Sequence, residues 1–364
     1  MAKVLKKFAR SQLAVPLFAL FLLIVFNLIR DISFFSLTVT ANNDGNTVLS
    51  GNIISILNGA SELAILAIGM TLVTASSKGQ DISVGAAAAI AGSVFVSVLR
   101  ANEITLPIIL VAFLASCIVA IMFGAFNGTL VAIFKIQPMI ATLILFTTGR
   151  SIAYWINGGA TPTVESPLLG YIGSFIPGIP IPTPIIIVIV FGLLVWLILR
   201  FTNLRLYTQA VGINEKSARL NGINAVWIKL LSFMILGVCA AISGAINVSR
   251  IGLINHEKLL MDIEMDAILA VAIGGNSLGG GKFSLAGSVI GAYIIQALTI
   301  TLYAMKVPST AIKAYKAIVI IAIVVLSSPI VKEYALKMRD KLFKKPTQIA
   351  EIQQENYTSG GKSL

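Results

Sequence analysis

Repeated apolar runs, each close to the length needed to cross a membrane, constrain this chain more than any other feature. A membrane-spanning helix needs about 20 apolar residues. Ten runs approach that length, over residues 12–30, 52–75, 82–99, 106–131, 137–155, 184–201, 229–248, 265–276, 284–304 and 313–331. Charged residues make up 12% of the chain, about half of the roughly 25% that is typical of a soluble domain. We therefore predict an all-α, polytopic transmembrane bundle of about ten spans.

The first of these runs has the length of a signal peptide. It lacks a small-residue cleavage site and many further runs follow it, so we predict a retained anchor. The run 265–276 is too short to cross alone and fits a half-helix supported by neighbouring protein. Residues 1–345 then form one transmembrane domain. Residues 346–364 are polar and without periodicity, which predicts a disordered cytoplasmic tail.

Most of the basic residues behind the net charge of +12 lie in three separate segments between or beyond the apolar runs, and not in one patch that could bind nucleic acid. They lie before the first run (Lys3, Lys6, Lys7, Arg10), in the 200–229 loop (Arg200, Arg205, Lys216, Arg219, Lys229) and after the last run (Lys332, Lys337, Arg339, Lys341, Lys344, Lys345). The positive-inside rule then places both termini and this loop in the cytoplasm, and residues 157–183 in the periplasm. The expected location is the bacterial inner membrane. Lys306, Lys313 and Lys316 disagree with this topology, because they would lie at the outer end of the last hairpin.

The Gly-rich stretch 274–282 superficially resembles a phosphate-binding loop. A Walker A loop needs Gly, four residues, and then Gly-Lys-Ser/Thr. Asn276 stands where the first Gly is required, and Phe283 replaces the hydroxyl that would hold magnesium. We therefore predict that this chain does not bind ATP through that loop, and that any driving ATPase is a separate polypeptide.

Enzyme chemistry is not indicated elsewhere in the sequence. His256 is the only histidine, so neither a zinc cluster nor a Ser-His-Asp device is expected. Cys117 and Cys239 fall within predicted spans and are interpreted as small buried apolar residues. We therefore predict that the chain is not an enzyme and binds no metal or cofactor.

Acidic residues offer two candidate features. Glu257, Asp262, Glu264 and Asp266 could form a cation site, but we favour a solvated periplasmic turn in which Asp266 is the N-cap of the short helix. Asp81 has two interpretations. It either caps the third span with Lys78 as a nearby counter-charge, or it lines a hydrated path or a conformational joint.

The 200–229 loop carries the clearest functional pattern. Ala, Glu, Lys, Arg and Leu within residues 210–224 favour a helix, which Asn214 can cap and Gly222 can end. A short charged helix held between two spans on the cytoplasmic face is typical of a docking element. The alternative is an ordinary amphipathic surface helix.

Four segments, taken in order, resemble bacterial sugar ABC permeases of the ribose and galactose family, with the galactofuranose-type branch the closest. They are AIGMTLVTASSKGQDISVG (Ala67–Gly85), GAFNGTLVAIFKIQPMIATLIL (Gly124–Leu145), AVGINEKSARLNGIN (Ala210–Asn224) and DAILAVAIGGNSLGGGKFSLAGSVIGAYIIQ (Asp266–Gln296). Lys78 departs from the family pattern, which usually has Gly there, and Ile82 replaces Leu.

The resemblance implies a function and partners. The chain would be the membrane-spanning subunit of an ATP-driven importer of a small sugar. Its partners would be a cytoplasmic ATP-binding protein with two nucleotide-binding halves, a periplasmic sugar-binding protein and a second permease chain, all in membrane lipid. The coupling residues carried over are Gly212, Asn214, Glu215, Ala218, Arg219, Gly222 and Asn224. In this scheme the ATPase pushes on a 210–224 helix.

Polar groups that flank apolar spans are candidates for the translocation path or its gate: Asp81, Asn127, Gln137, Arg150 and Asn157. A rival function is ion-coupled secondary transport of a small polar solute. That function would need a relay of buried carboxylates, for which Glu62 and Asp81 are the available start.

Overall fold

The computed structural model describes residues 13–41 and 47–327. The predicted tail 346–364 and the basic residues before the first run and after the last lie outside these residues. The helices are α1 (Ala14–Arg30), α2 (Asn52–Gly59), α3 (Ser61–Ser77), α4 (Val84–Arg100), α5 (Leu106–Ala132), α6 (Pro138–Ile156), α7 (Pro167–Gly173), α8 (Thr183–Phe201), α9 (Leu204–Ile213), α10 (Glu215–Leu220), α11 (Ala225–Ile251), α12 (Ile263–Ile273), α13 (Leu285–Ala304) and α14 (Ser309–Ser327).

A short β-hairpin lies between α1 and α2. After a 3₁₀ turn (Ile32–Phe35), strands β1 (Thr38–Ala41) and β2 (Thr47–Ser50) pair antiparallel, with Thr38 opposite Ser50. The amide of Leu49 donates to the carbonyl of Pro180, 2.9 Å away, so the hairpin lies against the segment between α7 and α8.

Five helices are long and apolar enough to cross a membrane within the described part of the chain: α5, α6, α8, α11 and α13. Helices α2 and α3 meet at a 40° bend and together qualify as a sixth crossing. Each of the ten predicted runs overlaps one helix or this bent pair. The run 265–276 contains α12, whose 11 residues match the expected short helix.

Local sequence explains where several helices begin and end. Pro107, Pro138, Pro167 and Pro184 stand in the first turns of α5 to α8, where the missing amide hydrogen costs no helical hydrogen bond. Helix α11 ends at Ile251, and the following Gly252 adopts a left-handed conformation, as is common after a helix C-terminus.

The core is built around α3 and α11. All seventeen residues of α3 are buried, and α11 packs against α3, α4 and α5. Small residues bring these backbones together: Gly124 and Gly237 join α5 to α11, and Gly244 joins α11 to α4. Such close approach is how helices associate where lipid removes the usual hydrophobic drive.

The contacts within the chain group it into two compact units, Met1–Lys316 and Ala317–Leu364. Of the second unit, the structure describes the helical residues 317–327. Everything below concerns the first unit.

The loops of the first unit gather at two ends. At one end, which we call the basic end, residues 78–82, 202–224 and 274–284 meet: Lys78 Nζ donates to the carbonyl of Ile213 (3.2 Å) and Gln80 Nε2 to that of Leu278 (2.9 Å). At the opposite end, residues 157–182 meet residues 251–262, where the amide of Val164 donates to the carbonyl of Gly252 (2.7 Å).

The two ends differ in charge. At the opposite end acidic and basic residues are interspersed. Among the described residues of the basic end, the acidic residues are Asp81 and Glu215. They are outnumbered by basic residues, which are Lys78, Lys135, Arg200, Arg205, Lys216, Arg219, Lys229 and Lys282.

Candidate functional site

The segment between α8 and α11 forms two short helices at the basic end. Asn214 has an extended backbone and its side chain accepts a hydrogen bond from the amide of Ser217 (3.1 Å), so it caps α10 as predicted. Gly222 follows the helix at φ +78° and stops it, also as predicted. The prediction of one helix over 210–224 is wrong, because residues 210–213 belong to α9.

Helix α10 is fixed to α11 by charge. Glu215 lies 2.5 Å from Arg219 Nη2 and 2.6 Å from Lys229 Nζ. Burial alone would raise the pKa of Glu215, but the hydrogen bonds and charges of Lys229 and Arg219 outweigh burial and lower it. Asn224 adds a cap to α11 by accepting from the amide of Trp227 (3.1 Å).

Helix α10 has an inner and an outer face. Ala218 is buried in a cluster that includes Val211, Ala225 and Ile228. On the other side Leu220 is 89% exposed and lies among charged residues. A large apolar side chain presented within a polar rim is typical of a protein–protein contact.

The α9–α10 segment rests directly on the transmembrane core. A Cβ atom at Gly212 would collide with the carbonyl oxygen of Ala75, at the end of α3. The amide of Gly281 donates to that same oxygen (3.2 Å). Helix α9, the end of α3 and the 274–284 loop therefore meet at one backbone junction.

Asp81 lies beside this junction in a buried polar cluster. Its Oδ1 accepts from the amide (2.7 Å) and hydroxyl (2.6 Å) of Ser83. Asn127 Nδ2 donates to Asp81 Oδ2 (3.3 Å) and to Ser83 Oγ (2.9 Å). Ser83, not Asp81, is the N-cap of α4, so the capping prediction is wrong. Lys78 is not its counter-charge either, since it binds the Ile213 carbonyl.

The five path candidates fall into two groups. Asp81 and Asn127 are in contact near the basic end, where Gln137 is exposed at the start of α6. Arg150 and Asn157 lie further along α6. Asn157 is buried, and its Nδ2 donates to Ser93 Oγ (2.9 Å). Arg150 Nη1 donates to the carbonyls of residues 256, 257 and 259.

The acidic group differs from the predicted solvated turn. Helix α12 begins at Ile263, so Asp266 lies inside its first turn and the N-cap prediction is wrong. Glu264 is buried. Asp266 pairs with Lys316 (2.6 Å) and Asp262 with Lys313 (2.5 Å). These pairs explain two of the three lysines that disagreed with the charge rule.

Packing contacts locate the middle of the bundle. Val238 is the central residue of the 27-residue α11. Gly69 of α3 packs against Leu236 and Cys239, on either side of Val238. Gly192, the middle of α8, packs against the adjacent turn of α3. The centres of three helices therefore share one level.

Glu264 lies close to that level. Gly244 follows Val238 by less than two helical turns and packs against Ala88 of α4. Gly85 lies slightly earlier on α4 and faces the carboxylate of Glu264. At 1.5 Å rise per residue, Glu264 is roughly 5 Å from the middle. That is well inside a hydrocarbon core about 30 Å thick. The neighbouring charge pairs of Asp262 and Asp266 lie at similar depth.

A third charge pair, which joins α3 to α11, was not predicted. Glu62 Oε1 lies 2.8 Å from Arg250 Nη1, and Arg250 Nη2 also donates to the backbone and side-chain oxygens of Asn58, both at 3.2 Å. Glu62, the proposed start of an ion relay, is thus occupied in a charge pair.

A bundle of long apolar helices with charged residues paired in its interior defines a multi-pass membrane protein. Residues 52–328 match the family described as the branched-chain amino acid transport system / permease component, and the chain belongs to this family. No solved structure gives a significant match.

Three relatives are sugar permeases by name. The chain is 42% identical over 280 residues to the galactofuranose transporter permease protein YtfT of Escherichia coli (strain K12), covering 77% of this chain and 80% of that protein. It is 36% identical over 341 residues to the fructose import permease protein FruF of Bifidobacterium longum (strain NCC 2705), covering 92% and 93%. It is 34% identical over 281 residues to the ribose import permease protein RbsC of Escherichia coli (strain K12), covering 76% and 85%.

Proposed function

We propose that this chain is the membrane-spanning permease subunit of an ATP-driven importer that moves a small sugar across the bacterial inner membrane. The observation that carries the proposal is the α9–α10 segment, which is seated on the end of α3 and exposes Leu220. The three sugar permeases among its relatives support a sugar of the galactofuranose, ribose or fructose type.

The proposed topology puts the basic end in the cytoplasm. The excess of Lys and Arg at that end supports this orientation through the positive-inside rule. The pairing of Lys313 and Lys316 with aspartates removes most of the earlier conflict. Ten crossings, with both termini in the cytoplasm, fit the order of the helices.

A separate ATPase with two nucleotide-binding halves would dock on α10. Leu220 supplies an apolar anchor, and Arg219 and Lys216 supply charge beside it. Closure of the ATPase would push α10 and α9 towards the core. The contacts of Gly212 and Lys78 would pass that displacement to α3, α4 and the 274–284 loop.

The translocation path would run along an exposed polar face at membrane depth. The Lys313 side chain is 70% exposed and its partner Asp262 46% exposed. A charge at this depth faces water or protein rather than lipid, because lipid exposure is too costly. That face would therefore line a cavity shared with a second permease chain. A periplasmic sugar-binding protein would deliver sugar to its outer mouth.

The path candidates fit this scheme at two levels. Asp81, Asn127 and Gln137 would act near the cytoplasmic mouth, and Arg150 and Asn157 in the outer half. A neutral sugar needs hydrogen-bonding groups more than free charges. The paired state of the buried charges is therefore compatible with sugar passage.

Two alternatives have less support: ion coupling as the energy source, and an amino acid as the substrate. An ion-coupled carrier needs a titratable relay, and Glu62 is held by Arg250. The family description mentions branched-chain amino acids, but the three relatives above are named for sugars. Uptake by cells with radiolabelled sugars and leucine, before and after ATP depletion, separates these functions.

The docking role is tested with Glu215→Gln and Arg219→Gln together. Sugar uptake and sugar-stimulated ATPase activity should both fall, while the complex still assembles, because the substitutions disturb α10 and leave the core unchanged. The matched control is Arg100→Gln with Glu103→Gln, an exposed arginine and an exposed glutamate at the opposite end. Normal coupling in the Glu215 and Arg219 double variant would contradict the proposal.

A further inference from the structure

The chain re-enters the bundle between α11 and α12. We call residues 254–262 the re-entrant segment. Ile254 packs beside Gly92 of α4, whereas the carbonyl of Leu260 faces Gly85 of the same helix. The segment therefore descends about 10 Å along α4, and it does so in turns rather than in a helix. Such backbone is tolerated at membrane depth only inside protein or beside a water-filled cavity.

Arg150 holds this segment to α6. Its Nη1 atom lies 2.9 Å from the carbonyl of His256, 3.0 Å from that of Glu257 and 3.1 Å from that of Leu259. Each of these oxygens would otherwise need water at this depth. The planar guanidinium can serve several acceptors at once, which a lysine ammonium on a flexible stem does less well.

The backbone of the segment is conformationally strained. Leu260 (φ 46°) and Asp262 (φ 64°) both adopt left-handed backbone, which non-glycine residues rarely occupy. Two buried polar atoms beside Arg150, Glu264 Oε2 and His256 Nδ1, have no hydrogen-bond partner in the described residues. A segment with strained backbone and unpaired polar groups can lower its free energy by changing to another conformation.

The segment also borders the proposed path. Asp262, at its end, forms the exposed charge pair with Lys313, and Met261 beside it is 59% exposed. Thr147 and Ser151 of α6 are exposed on the helix that carries Arg150. The segment thus lies between the polar face and the outer end of the bundle.

We propose that the re-entrant segment is the outer gate of the translocation path, and that Arg150 is the positioning residue that keeps it closed. Sugar passage requires the segment to leave its three carbonyl contacts with Arg150 and its Asp262–Lys313 pair. This inference rests on the proposed transport function and assigns the gate within it.

The test measures how fast a thiol in the gate reacts from outside. Met261→Cys is placed in a protein with Cys117→Ala and Cys239→Ala, and a membrane-impermeant thiol reagent is added to intact spheroplasts. Arg150→Met removes all three hydrogen bonds to the segment and should raise the modification rate at least about tenfold, which is the effect of one net hydrogen bond on an opening equilibrium. Arg150→Lys should give an intermediate rate. Trp155→Cys, an exposed position outside the gate, should react at the same rate in every background.

A second set of variants keeps the test decisive if Arg150→Met fails to fold. Lys313→Gln should also raise the rate at position 261, and exchanging the charges with Asp262→Lys and Lys313→Asp should lower it again. Equal rates at position 261 in the parent, Arg150→Lys and Lys313→Gln proteins would overturn the gate. ATP-dependent sugar uptake by the unsubstituted protein is measured separately. Its absence would refute the proposed function without bearing on the gate.

Discussion

Substitution of Glu62, which pairs with Arg250, shows whether this carboxylate stabilises the fold or takes part in transport. The Glu62 side chain is 4% exposed and the Arg250 side chain 28% exposed. Glu62→Ala removes the carboxylate and leaves the guanidinium with the two oxygens of Asn58. We expect the protein to be destabilised while each folded molecule still transports.

The size of the effect follows from burial. Removing one partner of a buried ion pair costs about 3–5 kcal/mol. Because Arg250 keeps partial exposure and two hydrogen bonds, about 3 kcal/mol is expected. At about 2 °C per kcal/mol for a chain of this size, the melting temperature should fall by about 6 °C. Glu62→Gln keeps the shape and one acceptor, so about 1–3 kcal/mol is expected.

The assay is thermal unfolding of the purified chain in detergent, combined with uptake normalised to folded protein. Glu103→Gln is the matched control, since Glu103 is exposed and an exposed substitution should stay within about 0.5 kcal/mol. The reasoning would be refuted if Glu62→Gln left the melting temperature unchanged and abolished uptake. That result would make Glu62 a proton or ion relay.

Three further predictions concern the α9–α10 segment. Gly212→Ala should destabilise the protein by about 1–3 kcal/mol through overpacking against α3 and lower uptake, whereas Gly170→Ala, which meets no atom within 4 Å, should leave both unchanged. Asn214→Ala should cost about 1 kcal/mol in thermal unfolding, but Asn203→Ala should cost less, because Asn203 makes no side-chain cap. The lowered pKa of Glu215 means that its stabilisation is complete above the ordinary glutamate pKa, about 4.3, and is lost as pH falls through the lower folded value. Glu215→Gln should therefore flatten acid destabilisation below pH of about 4, and equal acid curves for the two proteins would contradict this.

Most of the helical pattern was accessible from sequence, because apolar runs and their punctuation are local signals. Asn214 and Gly222 delimited α10 correctly through their chemistry. The boundary of α12 was placed too late, since its first turn contains Glu264 and Asp266 within a stretch that reads as a polar loop. Tertiary burial and ion pairing override that local pattern.

The partners of the charged residues were not accessible. Glu62 and Arg250 lie on different helices far apart in the chain, as do Asp262 and Lys313. Hydrophobic periodicity gives the depth of such residues but not which helix packs beside them. The lysines in the last hairpin, which conflicted with the charge rule, pointed to intramembrane pairing, but the sequence did not identify their partners.

The most direct test of the account is the side of the membrane on which α10 lies. Leu220→Cys, with Cys117→Ala and Cys239→Ala, is treated with an impermeant thiol reagent in intact spheroplasts and in inside-out vesicles. The account predicts modification only in inside-out vesicles, and protection there when the ATPase subunit is bound. Modification from outside intact spheroplasts would contradict it, because no cytoplasmic ATPase could then act on this helix.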